Sequence, residues 1–348
     1  MIEIDCHSEM TAYHAEEVTL SRTQQTDMRQ RRDNGRTRLE NGLNTMGKPL
    51  PQEIRSQGSY QMRTMVQDPE NDYDIDDGVY FVETGLEDDA GAPLTPKDAR
   101  QRICDALAWD GRFRVPAEVK GNCVRQAYAI GYHIDMPVYR IVKEQDWTGT
   151  ITETFYLASS DSWVLSDARK VTQWFNNLVG DLNAGQTDGS QMRRVTKLSK
   201  KFARRDGWKE QTTSGITITK LIVDNFSSSP DRDDEALRET WKKIQSSLQW
   251  STKVRHPVNP NNLAEAGDAQ VTFFRDCITD ALNELSILDQ PQCTRTEARK
   301  AWDKVFDTSY FSNRPYPNDG AKNSTATTVM NVTSEDTARR NDGGGRFG

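Results

Sequence analysis

Three aspartates, Asp74, Asp76 and Asp77, stand at the head of the β-rich run in "DYDIDDGVYFVET". Alternation of β-forming residues from Val79 onward reads as a strand. Carboxylates packed so closely repel one another, so such a strand needs a cation to answer them. Side chains two apart on a strand share a face, with Cα atoms about 6.5–7 Å apart. Asp74 and Asp76 then project together. That spacing suits two carboxylates clasping one or two Mg²⁺ ions about 3.5–4 Å apart. Mg²⁺ takes few protein carboxylates and leans on substrate phosphates for the rest. A third carboxylate should come from a neighbouring strand. "YHIDMPVY" supplies Asp135, which interrupts the apolar alternation of Ile134, Met136 and Val138. An acid in mid-strand is costly unless it is paired or bound to metal. Upstream, "QGSY" puts Gln57, Gly58 and Ser59 where backbone can approach a phosphate closely.

Two other readings of the acidic cluster compete. One is a solvated acidic turn before a strand. The other is a Ca²⁺-binding interaction module built on an EF-hand loop. Asp72, Asp74, Asp76 and Glu83 fall at that loop's first, third, fifth and twelfth positions. Asp77, however, occupies the sixth position, where the sharp turn requires glycine.

Along the chain, residues 20–45 read as a long, mostly exposed helix with Leu39 and Leu43 on one face. "LTPKDARQRICDALAW" opens with Thr95 as N-cap and Pro96 in the first helical position. "CVRQAYAIGYHIDMPVYRIV" reads as two strands around Gly131, and "ETFYLASS" as another. From residue 166 the period becomes helical, in "SDARKVTQWFNNLVGDL", "SQMRRVTKLSKKFARRDGW" (with Gly207 as a stop), "QVTFFRDCITDALNELSIL" and "TRTEARKAWDKVF". Thr294 and Glu297 in the last have the capping-box spacing. The expected class is therefore α+β. It would comprise a strand-bearing core over residues 1–165, a helical domain over 166–311, and a polar tail over 312–348 too poor in apolar residues to order itself.

Composition narrows the function. The net charge is −7, with no long basic track, so extended nucleic acid is not an expected partner. One compact basic stretch stands out on this acidic chain. On a helix, Arg193, Lys197, Lys200 and Arg204 would share a face, either solvated or cradling a polyanion. The five cysteines are scattered without C-x-x-C spacing, which speaks against a disulfide scaffold and structural zinc. No apolar run is long enough to span a bilayer, and the first residues lack a signal-peptide pattern, so a cytoplasmic protein is expected.

The order G-S, D-x-D, later Asp resembles that of the polymerase-β-like nucleotidyltransferases. "QGSYQMRT", "DIDDGVYF", "YHIDMPVY" and "SDARKVTQWFNN" resemble, more narrowly, the cGAS/DncV-like nucleotidyltransferases of bacterial CBASS antiphage defence, in particular the DncV-type cyclic GMP-AMP synthases. The resemblance spans roughly residues 50–221. It implies a polymerase-β-like core with a mixed sheet, followed by a helical domain. It implies two Mg²⁺ ions, with Mn²⁺ as an alternative, held by Asp74, Asp76 and Asp135 as catalytic carboxylates. It implies ATP and GTP as substrates and a cyclic dinucleotide such as 3′,3′-cGAMP as product, made as a 3′-hydroxyl attacks the donor α-phosphate. Gln57, Gly58 and Ser59 match its phosphate-contacting turn, and Lys200 its triphosphate lysine. Arg125 matches a phosphate-binding arginine once a one-residue gap is allowed. Ser214 or Thr217 falls at a serine-bearing helix start near the nucleotide. Met62 stands where the family stacks a tyrosine on a base. The glycine-rich end, closing at Gly348, fits a ubiquitin-like conjugation enzyme that joins the terminal carboxylate to a target amine. An RNA or tRNA nucleotidyltransferase of the same superfamily is the enzymatic alternative.

Overall fold

The computed structural model describes residues 4–68, 73–109, 111, 115–128, 131–185 and 187–315. The disorder expected of the tail, beyond Pro315, and the conjugation site at Gly348 lie outside the described residues. So does Asp72.

The chain opens with α1 (His7–Tyr13), one π-turn (His14–Val18) and α2 (Arg22–Thr45). A Ser21–Gln24 capping box starts α2. β1 (Glu53–Ser56), the single turn α3 (Gly58–Gln61) and β2 (Tyr73–Val82) follow. Next come α4 (Pro96–Ala108), which starts on the expected Thr95 cap, then β3 (Glu118–Val119) and β4 (Val124–Ala127). β5 (Tyr132–Met136), β6 (Val138–Gln145), β7 (Ile151–Ser159) and β8 (Ser162–Leu165) complete the main sheet. The rest is mainly helical: α5 (Ala168–Ala184), α6 (Gly189–Ala203), α7 (Gly215–Asn225) and α8 (Asp233–Trp250), then the short ribbon β9 (Val254–Arg255) and β10 (Asn262–Ala264), then α9 (Ala269–Glu284) and α10 (Arg295–Phe306). The Thr294–Glu297 capping box forms at α10. The helix α6 ends at Ala203, before the expected stop at Gly207.

The sheet is mixed, as the α+β class requires. β5 and β6 both run parallel to β2, and their registers are continuous, from Tyr73↔Tyr132 through Val82↔Ile141. They are one strand interrupted at Pro137, which has no N–H to give the ladder. The expected pair of strands around Gly131 is therefore β4 and this interrupted strand, with Gly131 itself at φ +85°. β1 joins β2 antiparallel, pairing Ser56 with Asp77.

Period two sorts β2 onto two faces. Ile75, Val79 and Phe81 enter one hydrophobic core with Ile134, Met136 and Val138, Leu39 and Leu43 of α2, and Ile103 of α4. Asp74, Asp76, Gly78 and Tyr80 take the other face. A second core gathers α5 to α10, and Cys6, Met10, Tyr13 and Val18 of the first eighteen residues belong to it. The N-terminal segment thus packs with the helices and not with the sheet, which departs from the expected assignment of residues 1–165 to one core. Residues 233–250, assigned no element from sequence, form α8, whose Leu237, Trp241, Ile244 and Leu248 line that second core. Among the described residues, no helix is long and apolar enough to cross a membrane.

Candidate active site

The acidic cluster divides between the two faces of β2. Asp77 faces the core of the sheet, fully buried. Its cation is a protein one: Arg36 of α2 donates to both carboxylate oxygens, at 2.7 and 2.5 Å. Ser56 Oγ adds a third hydrogen bond at 2.9 Å. Asp74 and Asp76 face the opposite side, as their spacing predicts. β2 runs straight through Gly78, where a Cβ would come within 2.8 Å of Gln57 Oε1. Asp77 is thus spent on Arg36 and the chain does not turn at this point, so the Ca²⁺-loop alternative is overturned.

Asp135 arrives from the neighbouring strand. It pairs with Asp76 in register across the parallel β2–β5 ladder. Burial, followed by the charges of Asp74 and Asp135, pushes the Asp76 carboxyl up to about 7, against the pull of Arg125. Both oxygens of Asp135 accept from Arg125, its cross-strand neighbour on β4, at 2.8 and 2.7 Å. Arg125, expected on phosphate, is here the counter-charge of Asp135. Among the described residues no three His, Cys, Asp or Glu side chains gather closely enough to hold a metal ion. The oxygen chemistry nonetheless fits a hard divalent cation. Asp74 and Asp76 share a face, Asp135 stands beside them, and the Asp76 carboxyl is raised by burial and then by its acidic neighbours.

The "QGSY" turn abuts this pair. The Gln57 N–H donates to the Asp76 carbonyl at 2.9 Å. Gly58 has φ +62°, and a Cβ there would overlap the Asp76 carboxylate. Glycine is required on both counts. Ser59 follows Gly58 in the single helical turn and is half-buried. The Gln57 side chain points elsewhere, into a pair of tyrosines, and does not reach the turn's open side.

From the helical half, Lys200 of α6 reaches toward the carboxylates. It is buried, and its Nζ donates to Thr64 Oγ1 at 3.0 Å. Burial, together with Arg204, lowers its pKa to about 7, while Asp74 and Asp76 work in the other direction. The other cations expected on that face do not form an open cradle. Arg193 Nε donates to the Met62 carbonyl at 3.1 Å, Lys197 Nζ to Thr19 Oγ1 at 3.2 Å, and Arg204 lies 3.8 Å from Asp68. That face is a seam onto Thr19 and residues 62–68, whose carbonyl, hydroxyl and carboxylate oxygens take its donors. Met62 itself is buried in the helical core, so it is not presented to a base.

Ser214 caps α7 and is exposed, accepting from the Thr217 N–H at 3.3 Å. Thr217 is buried, with its hydroxyl 2.9 Å from Ser214 Oγ. Of the two alternatives only Ser214 is open to a ligand. Gly215, beside it, lies against the Lys200 amine: a Cβ there would be 3.7 Å from Nζ. The start of α7 and Lys200 therefore converge. Thr64, Tyr80 and Tyr139 were not singled out from sequence. Tyr80 carried a signal, since it falls on the Asp74–Asp76 face by period two; Thr64 carried none.

Two carboxylates on one strand, a third in register on its parallel neighbour and a glycine turn against them define the nucleotidyltransferase class. Residues 52–139 match the family model described as "Cyclic GMP-AMP synthase DncV-like, nucleotidyltransferase domain". The match is to this stretch of the chain, which holds Asp74, Asp76 and Asp135. Solved structures extend the likeness of fold across both halves. The chain is similar to Escherichia coli DncV in its 3′-deoxy GTP bound form, with 17% identity, 89% of this chain and 98% of that chain covered, and a TM-score of 0.66. It is similar to Vibrio cholerae DncV, a cyclic AMP-GMP synthase in complex with the linear intermediate 5′ pppA(3′,5′)pG, with 17% identity, 87% and 96% covered, and a TM-score of 0.67. It is also similar to CdnC of E. coli MS115-1 with ATP, with 17% identity, 88% and 99% covered, and a TM-score of 0.65.

Proposed function

We propose that this chain is a metal-dependent cyclic oligonucleotide synthase that joins ATP and GTP into a cyclic dinucleotide such as 3′,3′-cGAMP, in antiphage defence. The observation that carries the reading is the register of Asp76 with Asp135, beside Asp74 and under the Gly58–Ser59 turn. The intermediate bound by V. cholerae DncV supports the class of product. Divalent ions, Mg²⁺ or Mn²⁺, bound by Asp74, Asp76 and Asp135 would supply charge neutralisation at the attacking and leaving oxygens.

The chain's own residues do the rest. The Gly58–Ser59 turn and Lys200, with Ser214 beside it, hold the donor triphosphate. Lysine acts there as a point charge. Arg125 shifts between Asp135 and phosphate. A 3′-hydroxyl attacks the donor α-phosphorus, its proton passes to a carboxylate oxygen of Asp135, and the bond to pyrophosphate breaks. A second transfer in the same pocket closes the ring, so two nucleoside triphosphates give one ring and two pyrophosphates. Residues 1–165 supply the carboxylates and the Gly58–Ser59 turn, and residues 166–311 add Lys200 and Ser214.

Incubation with all four triphosphates without RNA, followed by phosphatase and mass spectrometry, tests the reading. A phosphatase-resistant cyclic mass is expected. Products seen only with added RNA would instead establish the RNA or tRNA nucleotidyltransferase alternative.

The tail supports a second proposal, conjugation of Gly348 by a ubiquitin-like enzyme. It rests on the resemblance and on Gly343, Gly344, Gly345 and Gly348, which leave the terminal carboxylate unobstructed. CdnC is known in a complex with HORMA, so related chains do take protein partners. Co-expression with the neighbouring operon genes and mass spectrometry for a branched C-terminal peptide tests it. Absence of adducts while the partner enzyme is active would remove it.

A further inference from the structure

Gln57 belongs to the turn that should touch phosphate, yet its side chain is spent elsewhere. Tyr80 and Tyr139 stack with centroids 4.5 Å apart and planes 7° from parallel. The Tyr80 hydroxyl donates to Gln57 Oε1 at 2.8 Å, and Gln57 Nε2 donates to the Tyr139 hydroxyl at 3.0 Å. Gln57 and both tyrosines are buried. Burial holds both phenols protonated, so they remain donors at any ordinary pH. Gly78 makes room for the amide, since a Cβ there would lie 2.8 Å from both Gln57 Oε1 and the Tyr80 ring.

The tyrosine pair is itself fixed. Phe155 meets Tyr80 edge-on at 5.9 Å. The Arg169 guanidinium lies over Tyr80 at 4.7 Å and over Phe155 at 3.7 Å, and it is ion-paired with Glu53 of β1. Arg169 sits in the first turn of α5, so the platform ties the helical half to β1.

At its other end, Gln57 is bonded through its N–H to the Asp76 carbonyl, one residue before the Gly58 backbone that lies against the Asp76 carboxylate. Taking the amide for a phosphate would strip the buried Tyr80 phenol of this acceptor, at a cost of about 1–3 kcal/mol, and would leave Tyr139 only its bond with Ser166. We infer that Gln57, clamped by Tyr80 and Tyr139, is a positioning residue that sets the Gly58–Ser59 turn against Asp76, and not a nucleotide ligand. This rests on the nucleotidyl-transfer reading.

The test compares Tyr80→Phe with Tyr139→Phe together, Gln57→Met, and the triple variant. The triple leaves no clamp group buried without a partner, so it keeps the fold. Misplacement of a reacting group by an ångström costs up to about a hundredfold. The double Phe variant should therefore lose about tenfold or more in kcat, with KM and affinity for a non-hydrolysable ATP within about threefold. Gln57→Met should match it, and the triple should be no worse than either, because the three groups act as one unit. Full kcat in the double Phe variant, with weakened analogue binding in Gln57→Met, would make Gln57 a direct ligand and overturn the inference. Amide exchange gives a readout independent of turnover. The Gln57 N–H should exchange faster in the double Phe variant, and unchanged exchange counts against the clamp. If the wild type released no pyrophosphate, the proposed function would fail while the exchange result still decided the clamp.

Discussion

Asp76 and Asp135 lie side by side across a parallel strand pair, and burial, reinforced by the charges of Asp74 and Asp135, pushes the Asp76 carboxyl up to about 7. A folded-state pKa above the ordinary 3.8 means the native state binds the proton more tightly than the unfolded chain. Its contribution to stability is fully present below the unfolded value and is lost as pH rises to about 7. Asp76→Asn removes that penalty. Without metal, the variant should melt several degrees above wild type at pH 8 and at nearly the same temperature at pH 4, an effect on the order of a few kcal/mol. Thermal scans across pH check this. A variant less stable than wild type at pH 8 would mean that Asp76 makes a favourable contact the geometry lacks.

The second prediction concerns the buried ion pair on the other face. Arg36→Met leaves Asp77 uncompensated and should cost about 3–5 kcal/mol. Adding Asp77→Leu should recover much of the loss, since paired removal of buried charges is often near neutral. Denaturant midpoints measure both. A loss below about 1 kcal/mol in the single variant would show that Asp77 finds another partner.

Gly58→Ala gives the third. A left-handed backbone angle costs an alanine about 1–2 kcal/mol, and its Cβ would also overlap the Asp76 carboxylate. Turnover should fall about a hundredfold or more while the protein remains folded. Near-normal turnover would separate the turn from the chemistry.

The fourth concerns Lys200. Lys200→Met keeps the buried stem and removes the charge. It should raise KM for the donor triphosphate about tenfold or more and change kcat less, because the contact persists from ground state to transition state. If Lys197→Met does this and Lys200→Met does not, the triphosphate sits one helical turn away.

Much of this site was legible from sequence because it follows a period of two. Asp74 and Asp76 share a face by spacing alone, and Asp135 betrayed itself as a charge in an apolar strand. The caps at Thr95 and Thr294 were equally readable, being local hydrogen-bond chemistry. What was not legible depends on which surfaces meet. Nothing local pairs Asp77 with Arg36, forty-one positions apart. The basic face of α6 read as either solvated or an anion cradle, and only packing against Thr19 and residues 62–68 turns it into a seam. Nor does anything local tell that the Gln57 side chain lies between Tyr80 and Tyr139.

Pyrophosphate release from ATP and GTP with Mg²⁺ tests the central claim most directly, comparing wild type with Asp74→Ala/Asp76→Ala. The variant should fold, since it removes mutual repulsion without opening a large cavity. Wild type is expected to release pyrophosphate with no RNA present, and the folded variant to release none above background. Equal release by both proteins, or none from wild type with any metal or nucleotide pair, would contradict the assignment of these carboxylates to nucleotidyl transfer.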